Sequence, residues 1–241
     1  MEAFVFMFAQ KTREEAAFWG LTEQVYRQSP NWSPLSEDYY KRTLYGYEAN
    51  PEVRLKGIII EKNGHVLARA VTVYFEQSNN AWLGLFEALE TQAEAVHLLL
   101  KTGAEIMRSQ GVYQFTAPRL DHQVIGLQTA GFDCPQSIMT PYNPPYYEQY
   151  FLEYGFSPKT KSLSLIVDKT TLKLPKINLP WVKIRAFNPE KLERETKIFH
   201  QLQGSVFSGR EGYLSRTLEQ DAVLIQNLLP MLDSDLVLIA E

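Results

Sequence analysis

Apolar positions along the chain change period several times, and each change predicts an element. Phe4–Phe8 is a short apolar run that reads as a buried strand. Phe18, Leu21, Val25 and Tyr26 then recur at helical spacing. Thr12-x-x-Glu15 opens that helix as a capping box, in which the threonine accepts from free backbone N–H groups and the glutamate reaches back. The turn-rich Ser29–Pro34 stops it. Lys56–Lys62, with Gly57-Ile58-Ile59-Ile60, and the β-branched and aromatic Val66–Phe75 predict two strands. Asn63-Gly64 joins them as a hairpin, because both residues tolerate positive φ. Ala81–Phe86 predicts a further strand.

A long helix follows from Thr91, with Glu94 completing a second capping box. Val96, Leu99, Leu100, Gly103 and Met107 form its apolar face, and Gly111 ends it. Val112–Ala117 predicts a strand, Gln123–Ala130 a short helix closed by Gly131, and Ser137–Thr140 an extended piece. Asn143-Pro144-Pro145 reads as an N-cap and first turn of a helix running to Tyr154 and stopped by Gly155. Ser162–Val167 alternates as a last strand. The order β-α-(α)-β-β-β-α-β-α-β-α-β predicts an α/β protein, an α+β mixed sheet with helices on both faces.

Residues 1–168 thus form one expected domain. Residues 169–181 read as an extended linker, in which Pro175 and Pro180 block helix. Residues 182–241 give strand Val182–Phe187, helices Pro189–Val206 and Arg216–Leu229, and a strand within Asp235–Glu241. That β-α-α-β repeats the opening of the first domain, and we read it as an incomplete second unit.

Composition narrows the function. Hydrophobic residues at 45% supply a core, so the chain is not a disordered one. A net charge of −4 without a basic stripe argues against nucleic acid as partner. The single cysteine, Cys134, excludes an intrachain disulfide. The start, with Glu2 and a short apolar run, is unlike a secretory signal, and no stretch nears the about 18 apolar residues of a membrane span. These features lead us to expect a cytoplasmic protein with no membrane partner. His65, His97 and His200 are scattered, so no metal site is expected.

Several local motifs carry a resemblance. Pro30-Asn31-Trp32-Ser33-Pro34-Leu35, Gly131-Phe132-Asp133, Tyr142-Asn143-Pro144-Pro145-Tyr146-Tyr147 and Tyr154-Gly155-Phe156, together with the strand order, resemble the GNAT superfamily of N-acetyltransferases. More narrowly they resemble a bacterial tandem-GNAT family, here with a truncated second repeat. The resemblance implies acetyl-CoA or another acyl-CoA as donor and a small-molecule amine as acceptor. It places the cofactor along Leu85 and Phe86 and at Thr91, Gln92 and Ala93, where free N–H groups at a helix start attract the CoA diphosphate.

Residues 86–94 depart from the family's Arg/Gln-x-x-Gly-x-Gly/Ala pattern. They hold no glycine and no arginine, and Glu87, Glu90 and Glu94 place like charge where a diphosphate would sit. The family's acid, a tyrosine four residues before a Gly-Phe pair, is replaced by Leu127 and Phe151, with Tyr147 and Tyr150 nearby. Asp121 and His122, after the fifth predicted strand, are candidates for a general base, against an N-cap aspartate and an exposed histidine. Tyr142, Asn143 and Tyr146 are the candidate substrate-lining residues, and packing of Tyr142, Tyr146 and Tyr147 against the sheet is the alternative. The apolar strand Leu236–Ala240 is expected to add to the first sheet or to pair with a second copy as a homodimer.

Overall fold

The computed structural model describes all residues except 9, 34, 77–79, 120–124, 138–139, 166–169, 171–179, 211–212 and 214, and the side chains of 35–39, 227 and 231. The chain forms two compact units, Met1–Lys159 and Thr160–Glu241. The first holds a four-stranded antiparallel sheet in the order β1 (Glu2–Phe6), β2 (Val53–Lys62), β3 (His65–Phe75), β4 (Asn80–Ala88). Its helices are α1 (Arg13–Tyr26), α2 (Leu35–Glu48), α3 (Ala93–Ser109) and α4 (Tyr147–Tyr154). Asn63 and Gly64 both take positive φ, and Lys62 faces His65 across the turn they make.

The sheet is covered on both faces. Ala68 and Ala70 of β3 pack in one cluster with Leu99 and Leu100 of α3 and with Tyr147 and Phe151 of α4. Arg69 lies between them in sequence and therefore points to the other face, where its guanidinium stands over the Phe18 ring of α1. That double coverage explains why β2 shows no clean alternation: Gly57, Ile58, Ile59 and Ile60 are all buried.

Several local expectations are corrected. The first strand is Glu2–Phe6, displaced toward the N-terminus from Phe4–Phe8. Thr12 caps α1 by accepting from the Glu15 N–H, but Glu15 reaches back to the Lys11 N–H at 3.0 Å instead of to Thr12. Its other oxygen accepts from Tyr45 of α2 at 2.7 Å, so this residue joins two helices. The box expected at Thr91 does not form. Thr91 has φ 64, and α3 starts at Ala93 behind Gln92, which makes no side-chain cap. Asn143 does not cap α4 either, because the helix begins at Tyr147. Residues 125–130 and 160–165 carry no helix and no strand, and Thr140 folds back onto Ser137 by a 3.3 Å backbone bond.

Val112–Ala117 does not form a full strand. It meets β4 only at a parallel bridge from Thr116 to Trp82, with Leu83 N–H donating to Thr116 O at 2.9 Å. Arg119 N–H then donates to Leu83 O at 3.0 Å. The contact depends on Gly84, where an added Cβ would lie 1.9 Å from Arg119 O.

The second unit contains β5 (Ile184–Ala186), α5 (Leu192–Phe207), α6 (Leu218–Leu228) and β6 (Leu238–Ala240). Contrary to the expectation of addition to the first sheet, β6 pairs antiparallel with β5, Ile184 facing Ala240 and Ala186 facing Leu238. Among the described residues no helix is long and apolar enough to cross a membrane.

Gly84→Ala is expected to cost about 2–3 kcal/mol by overpacking against Arg119. Gly46→Ala, in an open position of α2, is expected to stabilise by about 0.5–1 kcal/mol. Urea denaturation of the two variants checks the contrast.

Candidate functional site

The most specific geometry in the first unit lies where β4 leaves the sheet. Val71 of β3 faces Gly84, yet Arg69 faces Glu87, so β4 carries one extra residue between them. Leu85 takes φ 44 there, a β-bulge that bends the strand. Bonding to the 112–119 segment ends at Leu83, just before the bulge. Leu89 N–H bonds back to Leu67 O of β3 at 2.9 Å, so by alternation the Ala88 N–H and C=O point away from β3. Beyond Leu83, then, β4 has an edge that no strand covers among the described residues.

Three tyrosines of the α4 region meet that edge. Tyr147 Oη accepts from Ala88 N–H at 2.8 Å. Its one proton goes to Glu87 Oε2 at 2.6 Å, closer than the 3.2 Å to Ala88 O. Tyr146 Oη donates to Ala88 O at 2.9 Å. Tyr150 Oη accepts from Gln92 N–H at 3.0 Å and donates to Leu89 O at 3.2 Å.

Behind this edge is a buried charge network. Arg69 and Glu87 are cross-strand partners, with Arg69 Nη2 3.9 Å from Glu87 Oε1. Arg69 Nη1 donates to Phe18 O at 2.6 Å. Tyr26 Oη lies 3.2 Å from Glu87 Oε1 and 3.0 Å from Tyr142 O. Burial, and then the neighbouring Glu87 charge, push the Tyr26 and Tyr147 phenols well above the ordinary value. Burial also raises Tyr146, with Tyr150 next in effect.

The structure brings some of the candidate residues together and separates others. Tyr146, Tyr147 and Tyr150 converge on Ala88–Gln92, beside Leu85, Phe86 and Thr91. Phe86 lies under Tyr147, ring centroids 4.9 Å apart. Ala93 and Thr91 are exposed. Tyr142 contributes its carbonyl to Tyr26, and its ring tilts against Tyr26 at 6.0 Å. Asn143 is buried and exchanges bonds with Gln128, accepting from its N–H at 2.7 Å and donating to its carbonyl at 3.1 Å. Asp121 and His122 lie outside the described residues. Of the three acids thought to repel a diphosphate, Glu87 turns inward to Arg69, while Glu90 and Glu94 stay exposed.

Sequence reasoning missed Arg69 and Tyr26. The signal was present in Arg69, a lone charge inside the apolar run Val66–Phe75. Such a charge sits inside a sheet only with a partner. Among the described residues no group of histidine, cysteine, aspartate or glutamate is arranged to hold a metal ion.

No protein-family model matches the chain. It is similar to Protein YghO of Escherichia coli (strain K12), 23% identical over 243 residues, covering 93% of this chain. The chain spans 62% of the length of that relative. Among solved structures it is similar to AAC(6')-Iy in complex with a bisubstrate analogue, at 11% identity and TM-score 0.41, covering 70% of this chain and 99% of that one. It is also similar to a predicted acetyltransferase with acetyl-CoA from Clostridium acetobutylicum, at 10% identity and TM-score 0.38, covering 68% and 95%. A third is a fungal multi-domain β-N-acetylglucosaminidase with a GCN5-related glucosamine N-acetyltransferase region, at 13% identity and TM-score 0.44, covering 100% and 26%.

Tyr147→Phe is expected to cost about 1–3 kcal/mol at neutral pH, since it leaves Ala88 N–H without its acceptor. The raised phenols also set an alkaline limit. Unfolded tyrosines ionise near 10.0, whereas Tyr26 and Tyr147 stay protonated in the fold. The stability they lend is complete below that pH and is lost as pH climbs toward their folded values. Urea midpoints measured upward from pH 8 should fall above about pH 10, and fall less steeply in Tyr147→Phe.

Proposed function

We propose that the first unit is a GNAT-type domain that takes the pantetheine arm of an acyl-CoA along the outer edge of β4, with a small amine as the acceptor class. The observation that carries this reading is the bulge at Leu85. It ends the pairing to the 112–119 segment and turns the Ala88 N–H and C=O outward. An extended chain with amide groups can bond such an edge as an added strand does. The motifs noted in the sequence support the same family.

The groups present favour binding over fast transfer. An acid for the departing thiolate must release its proton readily. Tyr147 holds its proton toward Glu87, and burial raises its pKa. Tyr150 is bonded to the loop through both its donor and its acceptor. The start of α3 offers a diphosphate the exposed Glu90 and Glu94, and the Gln92 N–H is already taken. A folded scaffold that binds acyl-CoA with little or no turnover follows.

A second observation concerns residues 160–241. The chain closed between paired strands differs by one residue in the two units, Phe6 to Gly57 against Ala186 to Leu238. Glu15 stands as far past Phe6 as Glu195 stands past Ala186, and both are buried. We read β5-α5-α6-β6 as a copy of β1-α1-α2-β2. A crystal structure with α5 on the face of the β5–β6 ribbon opposite to the one α1 covers on β1–β2 would rule the copy out.

Acetyl-CoA is the direct probe of the binding reading. A saturating excess of about 100 times Kd should stabilise the chain by about 2.7 kcal/mol, a clear rise in melting temperature. Replacing both Glu90 and Glu94 by glutamine should tighten binding about two- to fivefold at low salt, with the gain shrinking at high salt. No thermal shift with acetyl-CoA or CoA, in wild type or in the double variant, would refute the proposal.

A further inference from the structure

We propose that Tyr146, Tyr147 and Tyr150 form a latch that already occupies the ligand edge of β4, so that an acyl-CoA binds only as α4 gives up those bonds. The inference rests on the reading of that edge as the acyl-CoA site.

Three phenols satisfy four backbone groups: Ala88 N–H, Ala88 C=O, Leu89 C=O and Gln92 N–H. These groups lie on the β4 edge and at the α3 start, where the resemblance places the cofactor. Packing alone does not explain the hydroxyls. Phe151 lies in the same cluster, 4.8 Å from Phe86, and fills its place as a plain phenyl ring. The hydroxyls on its neighbours supply what a strand or a ligand amide would otherwise supply. An arriving pantetheine amide competes for Ala88 with Tyr146 and Tyr147. A diphosphate competes for Gln92 with Tyr150. The latch is also tied to the interior, because Tyr147 donates to Glu87, the cross-strand partner of Arg69. Releasing it disturbs the Arg69–Glu87 pair, and the closed state is favoured for that reason.

Removing a hydroxyl therefore weakens the closed form and leaves a backbone donor waiting for a ligand. Calorimetric titration of acetyl-CoA into the full chain tests this. Tyr147→Phe should bind about tenfold tighter than wild type, the ratio equivalent to one hydrogen bond no longer displaced. Tyr150→Phe should show a smaller gain in the same direction, and it serves where Tyr147→Phe lowers soluble yield. Tyr113→Phe, at an exposed position, should match wild type. Binding by wild type and by both latch variants with equal affinity overturns the latch and leaves the acyl-CoA site standing. No binding of acetyl-CoA or of pantetheine by any of them overturns the site itself, and the latch with it.

Discussion

A carboxylate in the sheet fixes much of the first unit. Glu87 stands opposite Arg69 on adjacent strands, and both side chains are almost removed from solvent. Such a pair is expensive to bury, and bonds to its remaining donors and acceptors offset part of that cost. Here Phe18 O takes one guanidinium N–H, the guanidinium stands over the Phe18 and Trp19 rings, and Tyr147 donates to the carboxylate, with Tyr26 Oη 3.2 Å from its other oxygen. Those contacts bring α1, β3, β4 and the α4 region to one point. The position of the tyrosines on the β4 edge follows, since Tyr147 reaches Ala88 from a ring already anchored on Glu87.

What the sequence made legible was local. Asn63-Gly64 specified its hairpin because positive φ is a property of those two residues. Thr12 capped α1, and Gly155 ended α4 with φ 107. The edge chemistry was not legible in the same way. Tyr147 lies far along the chain from Ala88 and Glu87, and no periodicity encodes that meeting. The charge of Glu87 was read against a diphosphate because its cross-strand partner, Arg69, appears only once register is known. The bulge at Leu85 was equally hidden. It sits in an apolar run that reads as an unbroken strand, and it shows itself only as one residue too many against β3.

The motifs that carried the family resemblance are largely joinery. Asn31 donates to Phe132 O at 3.1 Å and accepts through its carbonyl from Gln136 N–H at 2.8 Å. Ser33 N–H donates to Gln136 Oε1 at 3.1 Å, and Trp32 stacks on Tyr26 with centroids 5.0 Å apart. Asn143 clips Gln128. These bonds hold two loops against α1, whose Tyr26 reaches the carboxylate. Motif residues of this kind hold loops in place.

The two units solve one problem differently. Each places a buried glutamate early in the helix after its first strand. In the first unit Glu15 is met by a backbone N–H and by Tyr45 of the next helix, neutral donors that fasten helix to helix. In the second, Glu195 is met by Arg185 of β5, which also grips Glu241, and Arg194 joins the same carboxylate. There the charges tie a helix to a narrow two-stranded ribbon. A ribbon of that size has little apolar area to hold it, so directional charge pairs take over the task. The first unit has a broad core, and among the described residues its edge groups from Ala88 to Gln92 are met by tyrosine hydroxyls, with the Arg69–Glu87 pair behind them.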